Sequence, residues 1–247
     1  MTNQQILQTA MRQSALELNC DPSDFLRSEP VITAAAAHPD ARKYLHLPYP
    51  AYMVSYGHNV TASVMPALAE PVRGFLAAHD PMFCFEPPAL TELHALSAAY
   101  GCGVSFTKEY WLPDVTRLNI LPCAYEIRML TQKDFASLYL PEWSNALCEK
   151  RRELDVLGAG AYDGGTLVGL AACSADCDSM LQIGVDVLPA YRRQGIAAAL
   201  TSRLTAEILE RGKVPFYCCA WCNIRSAGNA VKSGYYPAWT ELEIRKL

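Results

Sequence analysis

Between Met180 and Ile208 the hydrophobic pattern changes its period once, and the change falls at a short charged turn. MLQIGVDV, over residues 180–187, is an apolar run of strand length that stops just before Pro189. Arg192, Arg193, Gln194 and Gly195 follow. Apolar residues then recur at Ile196, Leu200, Leu204 and Ile208, the spacing of one helix face. The stretch reads as a strand, a tight turn and a helix N-terminus. Such a turn offers backbone N–H groups, the positive end of a helix dipole and two guanidinium groups, which together suit a phosphate or diphosphate. Gly195 lets the backbone approach such a ligand with no Cβ in the way. The competing reading is an ordinary strand–helix turn with solvated arginines.

Composition narrows the class of protein. A chain of 247 residues accommodates one large domain or two small ones, and 51% apolar residues supply a core rather than a disordered chain. The net charge of −4 argues against nucleic acid as the main ligand, while leaving room for a local anion site. No apolar run approaches the roughly 18 residues of a membrane span. MTNQQILQTAMRQ lacks the charged and apolar regions of a secretory leader; it reads as an amphipathic helix with Ile6, Leu7, Ala10 and Met11 on one face. Ten cysteines are scattered along the chain, which fits reduced thiols of a cytoplasmic protein better than a disulfide framework. Cys219 and Cys222 form a C-x-x-C with no second pair and no nearby histidine, so no metal site is expected.

The fold class expected is α/β, of the α+β kind, in two domains. Residues 1–120 form a smaller mixed α/β domain. AYMVSYG (51–57) and NVTASVM (59–65) read as a strand pair around Gly57-His58, with helices over about 66–78 and 88–100. WLPDVTRLNILP (111–122), with two prolines, reads as a linker. Residues 121–247 form the second domain. AYEIRML (124–130) is a strand, and Thr131-x-x-Asp134 opens a helix through a capping pattern. Strands over 157–163 and 166–174 make a hairpin at Gly164-Gly165, followed by the 180–187 strand. A helix runs from Gly195 to about Arg211. VPFYCCAW (214–221), a short helix after Asn223 and a strand over about 236–245 complete the chain.

The order β-α-β-β-β-α-β-α-β over 124–247 resembles the GNAT superfamily of acyl-CoA N-acyltransferases. Arg192-x-x-Gly195-x-Ala197 resembles its diphosphate-binding loop, YEIRMLTQKDF its first strand and helix entry, and NIRSAGNAVKSGY its last helix. The first half resembles the extra domain of some bacterial GNAT proteins, among them a zwittermicin-resistance-like branch. The resemblance implies a mixed central sheet of GNAT type in the second domain. It also implies acetyl-CoA as co-substrate and direct transfer of an acetyl group to a primary amine of a small molecule or peptide, with a homodimer allowed. The residues it assigns to coenzyme A are Val185, Asp186 and Val187 on the strand, Arg192, Arg193, Gln194, Gly195, Ile196 and Ala197 at the loop, and Asn223 and Ser226 at the last helix. Asn223 with Ser226 also fits a plain helix cap.

Catalytic side chains are sparser. Attack on a thioester needs a neutral amine, hence a base, and the departing thiolate benefits from an acid. The tyrosine that many members carry seven residues after the asparagine is replaced by Ala230. The strand segment Leu181, Gln182, Ile183, Gly184 holds no glutamate. Asp186 is its only carboxylate and the one catalytic candidate, with a rival role of bracing the loop through an arginine. Tyr217 and Cys222 are further candidates without positional support. Glu142, Glu149 and Glu153 fall on an expected helix where the family shapes its acceptor site, or on a solvated face. The alternatives are a non-catalytic acyl-CoA-binding protein, marked by Ala230, and a cysteine-centred redox or metal protein.

Overall fold

The structure is a computed structural model of residues 1–247. The chain divides into two compact units. The first holds Leu7–Tyr110 and Ala238–Leu247, the second Met1–Ile6 and Trp111–Pro237.

The first unit takes most of helix α1 (Asn3–Leu18), strands β1 (Val31–Ala34), β2 (Ala51–Ser55) and β3 (Thr61–Val64), helices α2 (Ala69–Ala78) and α3 (Pro87–Ala98), and most of strand β4 (Cys102–Pro113). β2 and β3 pair antiparallel around Gly57, whose φ of +94° a side chain rarely adopts. β2 also pairs antiparallel with a strand from the far end of the sequence, from Thr240↔Ser55 to Ile244↔Ala51. Alternation then sorts the side chains. Ala51, Met53, Ala62 and Val64 meet Phe75, Leu76, Leu93, Leu242 and Ile244 in an apolar core.

On the opposite face Tyr52 joins a buried charge cluster. Arg42 donates to Glu17 and to Glu241, each at 2.6 Å, and to the hydroxyls of Tyr44 (2.7 Å) and Tyr52 (2.9 Å). The Trp239 indole donates to Glu241 at 2.7 Å, and its ring stacks on Tyr110. Three charges leave water here, so their value lies in pairing with one another, although Glu241 Oε2 is left without a hydrogen bond.

The second unit holds β5 (Glu126–Thr131), β6 (Asp155–Asp163), β7 (Thr166–Ser174), β8 (Met180–Val187), helix α4 (Ile196–Glu210), β9 (Val214–Cys219) and helix α5 (Ile224–Lys232). The last strand, β10 (Tyr235–Lys246), begins in this unit and ends in the first. The strand order is β9-β8-β7-β6-β5. All pairs are antiparallel except β8 with β9, which is parallel. One face of the sheet packs on α4, whose Ile196, Leu200, Leu204 and Ile208 are 0–1% exposed and meet Ala159, Ala161, Ala171 and Ile183. Each such side chain contributes about 1.5–3 kcal/mol through burial. The other face carries Phe135, Trp143, Ala146 and Leu147 over Leu170 and Ala172.

Three expectations need correction. The expected boundary after residue 120 differs from the observed one: Trp111–Pro113 end β4 rather than forming a linker, and residues 238–247 complete the sheet of the first unit. Pro113 is tolerated because it stands at the strand's last position. The helix expected after Thr131 is a 3-10 turn over Gln132–Phe135. Its capping box forms, with Asp134 accepting from the Thr131 N–H at 2.8 Å, but Pro141 follows too soon for a helix to propagate. Glu142, Glu149 and Glu153 are exposed on further 3-10 turns, not on a helix.

Truncating Arg42 leaves two buried carboxylates without their cation. Arg42→Ala is expected to lose about 3–5 kcal/mol of stability, measurable as a lower urea midpoint; an unchanged midpoint would show that the cluster is not structural.

Candidate active site

The parallel ladder between β8 and β9 is short. It holds Met180↔Val214, Leu181↔Pro215 and Gln182↔Phe216, and no pairing follows although both strands continue. Pro215 has no N–H to give the ladder. From Ile183 onward β8 pairs only with β7, up to Gly169↔Val187. The backbone of Ile183–Val187 therefore has one unpaired edge inside the sheet, holding donors and acceptors that seek a partner. Val185, Asp186 and Val187 lie on this edge and are partly exposed.

The turn beyond β8 is held from several sides. The Leu188 N–H donates to the Val168 carbonyl at 3.0 Å, and the Tyr191 hydroxyl to Asp163 at 3.0 Å. Arg192 donates through Nε to the Val187 carbonyl at 3.0 Å, and the Tyr125 hydroxyl to Gln194 at 2.7 Å. Arg193 and Gly195 both have positive φ, +63° and +83°. Alternation of this kind turns successive N–H groups toward one concave spot. Gly195 caps α4 without a side-chain hydrogen bond, and the first N–H to find a carbonyl in the helix is that of Ala199, on Gly195. A Cβ on Gly195 would meet no protein atom within 4 Å, so the cradle is open to a ligand. Arg192, Arg193, Gln194 and Gly195 are exposed, Ala197 is partly exposed, and Ile196 is buried as the first anchor of α4.

Asp186 faces away from this turn. Its carboxylate accepts from the Asn145 N–H at 2.8 Å, the Asn145 side-chain amide at 2.7 Å and the Ala146 N–H at 3.0 Å. It braces the segment crossing β8, and no arginine takes part. Two residues earlier on the same face, Gly184 lies under that segment: a Cβ there would collide with the Asn145 carbonyl oxygen. The sequence reading passed over Gly184 and Asn145. A glycine within a strand was the available signal, since it marks close backbone approach. Next along this face is Gln182, whose amide donates to Cys218 Sγ at 3.2 Å. Gln182 and Gly184 line a cleft of about 190 Å³ with Ser144, Cys148, Arg151 and Asp155.

At the last helix, Asn223 caps α5 by accepting from the Ser226 N–H at 3.2 Å. The Ser226 hydroxyl is 2.7 Å from that of Tyr217 on β9. Burial raises the pKa of Tyr217, so it keeps its proton at neutral pH. Ala230 is fully buried, and Asn229 and Ser233 tie α5 to Thr201 and Ala198 of α4. Cys219 is buried, whereas Cys222 is exposed.

The family model described as GNAT acetyltransferase matches residues 106–239. The chain belongs to that family and is a GNAT-type acyltransferase. No curated protein matches it. Among solved structures, a GCN5-related N-acetyltransferase from Kribbella flavida is similar at 16% identity, covering 95% of this chain and 94% of that one, with a TM-score of 0.48. A GCN5-related N-acetyltransferase-like protein from Streptococcus suis is 23% identical over 64% of this chain and 68% of its own, with a TM-score of 0.45. An aminoglycoside N-acetyltransferase in complex with CoA is 18% identical over 49% of this chain and 93% of its own, with a TM-score of 0.37.

The Gly184 contact is testable. Gly184→Ala is expected to lose roughly 1–3 kcal/mol and to speed amide exchange over residues 141–148, because the segment must lift off the strand. Wild-type exchange there would contradict the close approach.

Proposed function

We propose that this chain is a cytoplasmic N-acetyltransferase that uses acetyl-CoA and transfers the acetyl group directly to a primary amine of a small molecule or peptide. The observation that carries the reading is the conjunction of an open cradle of N–H groups at residues 193–198 with an unpaired β8 edge leading away from it. The cradle and Arg193 suit a diphosphate, and the β8 edge suits the amides of an extended pantetheine arm.

Acetyl-CoA supplies an activated thioester; the chain positions it and manages charge. An N–H on the edge at Val185–Val187 polarises the thioester carbonyl and stabilises the developing oxyanion. Asn223 and Ser226 flank the arm at the N-terminus of α5. Asp186, with its three donors, holds the 145–146 segment in place rather than serving as base. Tyr217, protonated and next to Ser226, is the proton donor to the departing thiolate, in place of the side chain that Ala230 lacks.

Mass-spectrometric assay of acetyl transfer to an amine library, with calorimetry of coenzyme A, tests the reading. Persistent inactivity despite CoA binding would turn it into a binding protein; no CoA binding would end it. Gly195→Val places a β-branched residue at positive φ and a methyl pair in the cradle, and is expected to weaken CoA binding about tenfold or more. Tyr217→Phe is expected to lower kcat by about 10²-fold with KM little changed, read from initial rates.

A further inference from the structure

The outer edge of β5 has no partner in the chain. β5 pairs with β6 along its whole length, from Glu126↔Tyr162 to Thr131↔Leu157, and no strand lies on its other side. The Thr131 N–H is given to the Asp134 carboxylate rather than to β6. Backbone groups of an antiparallel strand alternate between its two sides, so the N–H and carbonyl groups of Ile127 and Met129 also point away from β6. No other group of the chain bonds to them.

Edges of this kind invite pairing, and proteins blunt them with prolines, bulges or short strands. In the first unit the edge strand β1 is four residues long, and Asn19 donates to the Ala34 carbonyl at 3.5 Å and to that of Ala36 beyond it at 3.1 Å. β5 is six residues long, contains no proline and keeps one register with β6 throughout. Its two exposed charges, Glu126 and Arg128, are of opposite sign and pair with each other at 2.6 Å.

We propose that β5 pairs antiparallel with β5 of a second copy of this chain, about a two-fold axis at Ile127. A two-fold contact is closed, and it makes the two strands antiparallel. Residues whose backbone groups point outward must face one another, so the axis passes through Ile127 or Met129 and not through Arg128. An axis at Met129 would set Ile127 against Thr131, whose N–H is already spent, and Arg128 against Leu130. An axis at Ile127 sets Glu126 opposite Arg128 of the partner subunit, and Arg128 opposite Glu126 of the partner subunit. These are the non-hydrogen-bonded positions of the ladder, where facing side chains approach most closely. Met129, 38% exposed, then lies opposite Tyr125 of the partner subunit. Exposed ion pairs add little affinity, so the part played by Glu126 and Arg128 is to set the register. Dimerisation of this kind does not depend on acetyl transfer.

Sedimentation equilibrium of the full chain from about 1 to 100 μM tests the contact, since a small interface is expected to hold at micromolar concentration. The wild type is expected to pass from monomer to dimer over that range. Glu126→Arg and Arg128→Glu each set like charges opposite one another, and each is expected to weaken the dimer about tenfold or more. Mixed in equal amounts, the two variants can form a heterodimer in which every one of these charges faces its opposite. Association is expected to return in the mixture, and its return also shows that both variants are folded. In the wild type alone, amide exchange at Ile127 and Met129 is expected to slow as the concentration rises. A wild type that stays monomeric, a dimer indifferent to both reversals, a mixture that fails to associate, or exchange independent of concentration overturns the proposal.

Discussion

β8 and β9 stay paired for three residues and then part, and the second unit is arranged around that parting. A parallel ladder broken inside a sheet exposes backbone groups that would otherwise satisfy each other. The break persists because each strand is held elsewhere. β8 keeps its antiparallel partner β7 through Val187 and packs Ile183 against α4. β9 carries Pro215 within the ladder and buries Phe216 and Tyr217. The opening is thus produced by the flanking packing rather than by a flexible loop, which is how a rigid scaffold presents backbone to a ligand.

The two faces of β8 do different work. Odd-numbered residues lie in the core with α4. Even-numbered ones, Gln182, Gly184 and Asp186, form a polar track under the 141–148 segment. Asp186 fastens that segment at one end, and Gly184 lets it sit against the strand in the middle. Gln182 remains at the open end, beside the cleft. One strand thereby carries an unpaired backbone edge and, on its other face, a polar side-chain track beside the cleft.

Much of this could be read from the residues. The 180–208 stretch announced β8, its turn and α4 because period 2, a charged glycine turn and period 3.6 follow one another without ambiguity. The Gly164-Gly165 hairpin and the Asn223–Ser226 cap were equally local. What stayed hidden depended on distant partners. β4 was obscured by the proline at its end, and the Thr131–Asp134 capping box, though formed, could not reveal that Pro141 would stop the helix. Asp186 reads as a candidate base until Asn145 and Ala146 are seen to occupy it.

The strand β10 has a consequence for how the protein is made. Leu242 and Ile244 complete the core of the first unit, and Glu241 supplies one of the two counter-ions of Arg42. Folding of the first unit therefore requires a segment that follows the whole of Trp111–Pro237 along the chain, and until it docks β2 lacks one of its two neighbours. Glu241 also proofreads the docking. Sliding β10 by one residue along β2 would carry Leu242 out of the apolar core and turn Glu241 into it, stranding Arg42, so the misaligned strand is rejected on both faces at once.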